Sequence, residues 1–457
     1  MEKRRLVDEG HAIDARHEII SEAPHFTRDL GVMGFVGIEE RQVRQPPEGR
    51  DPGHGDPQTE SGDSAVGEHR RQNDTQLAAS MALTFVLLTV FIDMLGLGIL
   101  IPIIPFVVRE FSPSALTVGL LSMSFAGFQF VATPILGRLS DQHGRRPLLL
   151  LSLFGSAVGY VMFGMAQSLA MLFAARIIDG ITGGNVSIAQ ACIADVTKPA
   201  DRSKTFGLLG AAFGLGFILG PAIGGAVSHA WGLSAPAFLA AGLAFSNTLF
   251  GLFVLPETHP IEKRRKADVS ARSLNPIGGI IRAMRHEHLG SVFLGIFAFN
   301  VAFSGLQSNF SLFSLVRFNW GPQEAALLFS LIGVVGAITQ AMIVRKLVKK
   351  FRDRSLAATG LVLQTLSYLL TAFVPKAWML YPVSVLTSFG VGITTPTLTG
   401  IVSSAVSETE QGVMLGTTQS VTALTRIVGP LWAGLSFDWL GPGAPYWSGA
   451  IMIAIAA

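Results

Sequence analysis

Long apolar runs recur along this chain from residue 82 onward, each about twenty residues long and nearly free of charge. A helix rises about 1.5 Å per residue, so runs of this length match a hydrocarbon core about 30 Å thick. Because no water is available there to satisfy backbone polar groups, such runs form helices rather than open strands. Only 14% of the residues are charged, against about 25% in soluble domains. The pattern indicates an all-α, multi-pass membrane protein and excludes the soluble enzyme classes.

Twelve membrane segments are predicted from these runs. They lie near 82–108, 116–137, 147–166, 169–194, 203–228, 234–255, 290–315, 323–344, 355–374, 377–402, 412–436 and 443–457. A helix over the last segment, from Pro445 to Ala457, would rise only about 20 Å. We therefore expect that this helix is either thinly embedded or truncated.

Residues 1–80 have a different composition from the rest of the chain. They mix both charge signs with Pro, Gly, Gln and Asp and contain no run long enough to span a membrane. Such segments bury too little apolar surface to fold, so we predict a disordered N-terminal extension. No charged segment leads into an apolar one, so a signal peptide is not indicated. The alternative is that translation begins at Met81, directly before the first predicted helix.

A chain that starts at Met81 is expected to insert into the membrane and to remain active, because every predicted membrane segment lies after that residue. Expression of this truncated form beside the full chain tests the expectation. Loss of activity at a normal level of expression would contradict it.

The positively charged residues collect in alternate loops. One set of loops carries the basic stretches near 138–146, 198–204, 263–285 and 345–354, whereas the other set holds only Arg109, Arg317 and Lys376. Basic loops favour the cytoplasmic side, which predicts a cell or inner membrane protein with a cytoplasmic N-terminus. Topology thus accounts for the basic residues, and they do not imply a nucleic-acid partner.

The basic stretch 257–288 is predicted to be a cytoplasmic linker between two halves, 81–256 and 289–457. An internal repeat supports this division. A shift of 209 residues aligns Gly207 with Gly416 and Gly220-Pro221 with Gly429-Pro430. Two parallel halves of six helices, with a site between them near the midplane, form a known transporter architecture.

One charged string interrupts the apolar pattern of the first half. It reads Gly137-Arg138-Leu139-Ser140-Asp141-Gln142-His143-Gly144-Arg145-Arg146-Pro147. Gly137 is expected to let two helices approach closely, and Gly144 to permit a tight turn. Arg145 and Arg146 are expected to hold this loop on the cytoplasmic side.

A run of small residues marks the fifth predicted helix. Its members are Gly210, Gly214, Gly216, Gly220, Pro221, Gly224 and Gly225. Small residues at this spacing let membrane helices pack closely, and a proline within the helix removes a backbone donor and bends it.

Four charged residues lie inside the predicted spans: Asp93, Arg176, Asp179 and Arg426. A charge at the membrane centre costs about 2.5–3.5 kcal/mol on insertion scales, so such residues usually face a cavity. Arg176 and Asp179, three residues apart, can pair on one helical face.

The guanidinium of Arg176 favours the ionised form of Asp179, so Asp179 should be hard to protonate. An unpaired buried carboxylate is protonated more easily, so Asp93 is the preferred proton carrier. The alternative is that Asp93 pairs with Arg426 or with a backbone group. Arg426 itself is equally compatible with a substrate contact and with an inter-helix pair.

Together these strings resemble the major facilitator superfamily, and within it the twelve-helix drug/proton antiporters. The loop 137–147 resembles the family's loop between helices 2 and 3, which implies that Asp141 joins a charge relay between the halves that closes the cytoplasmic gate. The run 210–225 resembles the helix-5 signature of exporters. Arg176 matches a buried arginine that is linked to proton coupling in the family, which implies a role in proton coupling for the Arg176/Asp179 pair as well as for Asp93. Asp179 departs from the Gln or small residue that is frequent there.

The first helix, over 91–102, is similar to that of tetracycline exporters, but other positions differ. Those exporters carry an acidic residue before a tyrosine in the third helix, where this chain has Gly159 before Tyr160. Tetracycline is therefore one candidate among many amphiphiles. Polar positions within apolar helices provide the candidate residues of the substrate cavity: Asn300, Gln307, Gln419 and Arg426.

The resulting hypothesis is a monomeric exporter that exchanges a small amphiphilic molecule for protons by alternating access. We expect no cofactor and no metal, because no His/Cys cluster with metal-ligand spacing is found, and no catalytic residues, because no catalytic motif is present. A proton-coupled metabolite importer is an alternative that the helix-5 run disfavours. A degenerate membrane protein without transport activity is the other alternative.

Overall fold

The computed structural model describes residues 60–198, 201–264, 280–281, 289–406 and 408–457. The larger compact unit spans Asp63–Ala457. Of the predicted segments, residues 1–59 of the N-terminal extension lie outside the described residues. The same holds for 265–279 and 282–288 of the predicted linker.

The first half consists of six helices, two of which are interrupted. They are α1 (Glu60–Leu100, continued by Ile104–Arg109), α2 (Ala115–His143), α3 (Arg145–Gly164), α4 (Leu169–Thr182, continued by Asn185–Val196), α5 (Arg202–Trp231) and α6 (Ala235–Val254). A 3-10 turn, Ile261–Lys263, follows them.

The second half repeats this pattern. Its helices are α7 (Gly290–Phe318), α8 (Pro322–Ile338, continued by the π-helical Thr339–Val344 and by Arg345–Leu347), α9 (Asp353–Phe373), α10 (Leu380–Ser404), α11 (Glu408–Leu440) and α12 (Ala444–Ala456). In the described part of the chain, ten helices are long and apolar enough to cross a membrane. The predicted all-α membrane fold with twelve helices is confirmed.

Helix α1 begins earlier than the sequence predicts. Its first residue is Glu60, whereas the predicted disordered extension reaches residue 80. Residues 60–80 contain Ala, Glu, Gln and Arg, which are good helix formers, and they continue into the apolar run without a proline. The last helix has 13 residues and is shorter than the candidate spans, as its sequence predicted.

Within each half, neighbouring helices pack side by side. In the first half α3 packs against α4 and α6, and α2 packs against α4. In the second half α9 packs against α10 and α12, and α7 packs against α11. The two halves meet mainly through the pairs α2–α11 and α5–α8. These two seams enclose the space between the halves.

The small residues of α5 divide into two groups. Gly216 packs against Met94, Gly220 against Gly98, and Gly224 against Ile99, all in α1. Gly225 contacts Ala326 of α8 in the other half, and Pro221 packs on Gly98. The close packing predicted from the run is therefore confirmed for its second part.

The first part of the run behaves differently. At Gly210 and Gly214, apart from the surrounding backbone of α5 itself, no heavy atom lies within 4 Å of the position that a Cβ would take. The close packing expected at these two glycines is wrong for this structure, although Leu209 beside them still belongs to one apolar cluster with Ala82 and Phe85 of α1.

Gly220→Ala is expected to destabilise the protein by about 1–3 kcal/mol, the usual range for overpacking. A Cβ at Gly220 would lie 2.7 Å from the Gly98 Cα and 2.8 Å from the Leu95 carbonyl oxygen, and neither backbone atom can easily move. Thermal unfolding in detergent measures the effect. Gly214→Ala in the same helix is the matched control, and equal shifts for the two variants would contradict the expectation.

The two halves pack most tightly near one end of the bundle. We call the end that carries Arg138, Arg145, Arg146 and Lys346 the basic end, and the other end, where this tight packing lies, the opposite end. A Cβ on Gly119 of α2 would overlap the Pro430 carbonyl oxygen of α11, and Gly434 lies against Ala115. These contacts are near the start of α2 and the end of α11, so the halves pack tightly toward the opposite end.

Candidate functional site

Asp93 lies near the middle of the first span, Ser80–Arg109. Its side chain is partly exposed, and its Oδ1 accepts a hydrogen bond of 2.6 Å from Nδ2 of Asn185 in α4. This partner differs from both alternatives that the sequence left open, Arg426 and a backbone group. An ionisable acid thus lies beside a neutral amide, without an ion pair among the described residues.

A break in α4 creates this contact. The helix stops at Thr182 and starts again at Asn185, with Gly183 and Gly184 between the two segments. The freed carbonyl oxygen of Gly183 accepts a hydrogen bond of 2.9 Å from Nε2 of Gln129 in α2. Irregular backbone at membrane depth is tolerated where such partners satisfy it, and broken helices mark binding sites in many transporters.

Arg176 and Asp179 form the predicted pair in the first segment of α4. The Arg176 Nη1 lies 2.8 Å from the Asp179 Oδ2, and the two residues are only 5% and 3% exposed. The Arg176 guanidinium also stacks on Phe125 of α2, with its carbon 4.1 Å from the ring centre. Gly159 of α3 packs directly on Asp179. Arg176 is therefore compensated by both an anion and an aromatic face.

The string 137–147 forms a network at the basic end. Arg145 lies 2.5 Å from Asp141 and 3.0 Å from Asp195, and its Nη1 donates to Ser140. Its backbone N–H donates to Glu257 at 2.9 Å. Arg145 is buried at 6% exposure. It thus ties the loop to the ends of α2 and α4 and to the segment after α6.

Gly144 has φ +101°, a left-handed conformation that favours glycine, so the predicted tight turn is confirmed. Arg146 donates to the Leu252 carbonyl oxygen at 2.6 Å. The close approach predicted at Gly137 is wrong, because a Cβ there would meet only the Ser187 hydroxyl, at 3.9 Å. The Asp141–Arg145 pair lies within the first half, and the relay between the halves stays a prediction.

In the second half, the four cavity candidates lie on two helices. Asn300 and Gln307 are seven residues apart on α7 and partly exposed, and the Asn300 amide donates to the Ile296 carbonyl oxygen at 2.8 Å. Gln419 and Arg426 are seven residues apart on α11, and both are exposed. A spacing of seven places each pair on one face of its helix.

The sequence did not predict a role for four polar residues: Asn185, Asp195, Glu257 and Asp438. Asn185 follows Gly183-Gly184, and a glycine pair inside an apolar run is a turn signal that could have indicated the break. Asp195 and Glu257 join the Arg145 network. Asp438 of α11 accepts hydrogen bonds from the backbone N–H groups of Ala115 and Leu116 at the start of α2. No local pattern distinguishes these acids.

Two six-helix halves that meet along two seams, with charged residues near mid-span, define a secondary membrane transporter. The comparison with known proteins agrees. The chain belongs to the Major Facilitator Superfamily, whose profile matches residues 86–430 and 341–457. This family consists of transporters rather than enzymes.

Curated relatives include antibiotic-resistance proteins. The chain is 33% identical over 384 residues to the class C tetracycline resistance protein of Escherichia coli, an alignment that covers 83% of this chain and 95% of that protein. It is 28% identical over 354 residues to multidrug resistance protein 2 of Bacillus subtilis, covering 76% of this chain and 87% of that protein.

Among solved structures, the human organic anion transporter MFSD10 superposes with a TM-score of 0.62 at 27% identity, covering 83% of this chain and 98% of that one. The nucleoside transporter NupG gives a TM-score of 0.68 at 13% identity, covering 82% of this chain and 98% of that chain. The second similarity concerns the fold alone.

Proposed function

We propose that this protein exports a small amphiphilic molecule in exchange for protons by alternating access. The observation that carries this proposal is the Asp93–Asn185 contact, which places an ionisable acid at a helix break near mid-span. An acid that is partly exposed and bonded to an amide can gain and lose a proton without breaking a buried ion pair.

The arrangement of the halves supports alternating access. Their tight contacts lie toward the opposite end, between Gly119 and Pro430 and between Ala115 and Gly434. At the other end of α5, Gly210 and Gly214 have open space around them. This is the arrangement expected of a transporter that is closed at the opposite end and open toward the basic end.

The relatives favour export. Tetracycline resistance protein class C and multidrug resistance protein 2 are named for drug resistance, and the former aligns over most of its length. The small-residue run of α5 resembles the helix-5 signature of exporters. A drug or tetracycline-like amphiphile is accordingly the substrate that we propose.

We further propose that the basic end faces the cytoplasm, because basic loops favour that side. Lys346→Cys is expected to react with a membrane-impermeant maleimide in inverted vesicles and not in intact cells, since Lys346 is exposed at the basic end. The native Cys192 is 1% exposed and should stay unlabelled. Labelling of the variant in intact cells would reverse the proposed orientation.

A susceptibility panel of amphiphilic drugs in a host without its own pumps tests the function. The full chain should raise resistance to some of them, and a protonophore should abolish this effect. Accumulation of the same compounds driven by protons would favour the importer instead. Unchanged susceptibility and unchanged accumulation would favour a protein without transport activity.

A further inference from the structure

Arg426 lies on α11 close to the seam where the two halves meet. Arg426 precedes Gly429 by three residues and Pro430 by four, so all three lie on adjoining faces of α11. Gly429 packs against Val301 and Ser304 of α7 in its own half. Pro430 packs against Gly119 of α2 in the other half. Arg426 therefore lies between these two contact faces, one helical turn closer to the basic end.

At this level the seam between the halves opens. Gly429 and Pro430 are buried, whereas Arg426 is exposed, and so is Gln419 two turns further along the same face. Asn300 of α7 lies one turn from Ser304 and is partly exposed as well. Arg426 is 14 residues from the end of α11 at Leu440 and 18 from its start at Glu408. Arg426 thus lies near mid-span rather than at a membrane surface.

No counter-charge is found beside Arg426 in the part of the chain that the structure describes. Among the described residues Arg426 has neither an ion pair nor a hydrogen bond, whereas Arg176 has both Asp179 and Phe125. The acidic residues of the second half all lie near helix ends: Glu324, Asp353, Glu408, Glu410 and Asp438. In the first half, Asp179 is paired with Arg176 and Asp93 accepts from Asn185.

An arginine near the membrane midplane without a partner is costly, which indicates a functional role. A guanidinium offers a planar set of donors that matches a carboxylate or enolate and binds it through charge-assisted hydrogen bonds. We infer that Arg426 binds an anionic group of the transported amphiphile and makes this group a condition of recognition. This inference rests on the proposed transport function for the identity of its cavity.

The substrate's anion and the proton would thus bind at separate sites. The anionic group would bind in the second half, at Arg426, whereas Asp93 and its amide partner Asn185 belong to the first half. The two ligands would then not compete for one carboxylate. Their coupling would operate through the relative movement of the halves.

Equilibrium binding to the purified full-length protein tests the inference without requiring transport. The probes are radiolabelled naphthyl and biphenyl carboxylates, with the primary amide and the methylammonium analogue of each scaffold. Wild-type protein should bind the carboxylates at least tenfold more tightly than the analogues. Arg426→Gln should lose at least tenfold in carboxylate affinity and keep its affinity for the amides, and Arg426→Lys should be intermediate.

Arg345→Gln is the matched control, because it removes an exposed arginine at the basic end. Arg426→Gln should unfold at the same or a higher temperature than wild type, since it removes an unpaired charge. A preference for ammonium probes, equal binding of all probes, no carboxylate binding, or unchanged carboxylate affinity in Arg426→Gln would each overturn the inference.

The protonophore experiment remains independent of this result. Carboxylate binding that depends on Arg426, without proton-linked efflux, would retain the inference and refute the proposed function. Efflux without carboxylate preference would do the reverse.

Discussion

Asp93→Asn is expected to abolish transport driven by a pH gradient, while the protein still folds and inserts. Asparagine has nearly the same shape, and its amide oxygen can still accept the hydrogen bond from Asn185. It cannot bind or release a proton at this position, so the substitution removes the proposed carrier and retains the contact. The measurement is substrate movement in proteoliposomes with an imposed pH gradient, where we expect a loss of at least tenfold, or about 1.4 kcal/mol.

Exchange of substrate for substrate across the same vesicles needs no net proton movement, so it should persist in Asp93→Asn. Asp179→Asn is the comparison, because it leaves the buried Arg176 without its ion pair. Breaking a buried pair in this way costs about 3–5 kcal/mol, so we expect a lower yield of folded protein. Undiminished proton coupling in Asp93→Asn would refute the role of this acid.

Asp438→Asn is expected to weaken the closure of the opposite end. The Asp438 carboxylate accepts the Ser114 hydroxyl at 2.5 Å and the N–H groups of Ala115 and Leu116 at 2.9 and 3.0 Å. Asp438 therefore caps the N-terminus of α2 from the other half. The helix dipole also stabilises a negative charge at this N-terminus. An amide has one acceptor oxygen and no charge, so the closed arrangement should lose at least tenfold in population, or about 1.4 kcal/mol.

Labelling of an introduced thiol measures this shift. Met123 lies one turn beyond Gly119 on α2, so Met123→Cys should react faster with an impermeant maleimide in intact cells when Asp438→Asn is present. Glu324→Gln is the matched control, because Glu324 accepts the Gly321 N–H at 2.9 Å within its own half. Equal labelling rates with and without Asp438→Asn would show that this cap does not hold the halves together.

The fold could be predicted because its signals, the apolar runs and the internal repeat, can be read directly from the sequence. The length of an apolar run corresponds directly to a membrane helix, and the internal repeat indicates two halves. The Arg176–Asp179 pair was predictable for the same reason, since residues three apart on a helix are neighbours whatever the tertiary structure. The turn at Gly144 also depends on a local conformation that glycine adopts readily.

The site was less predictable because its contacts join distant parts of the chain. Asp93 was identified as an ionisable residue in an apolar run, but its partner Asn185 depends on how α1 packs beside the break in α4. Arg426 was identified by its charge alone. Its exposure between α2 and α7 follows from the packing of Gly429 and Pro430, which no local pattern encodes.

The sequence by itself determined that this protein is a membrane transporter of two six-helix halves with four charges in its spans, because hydropathy, repeats and helical spacing are properties of the chain. Helical spacing also determined that Arg176 pairs with Asp179. The tertiary structure decided the surroundings of the other two charges: Asp93 is bonded to an amide, and Arg426 is exposed without an ion pair among the described residues. The physical reason is that burial and pairing depend on which helices meet, and here α1 meets α4 and α11 meets α2 across long stretches of the chain.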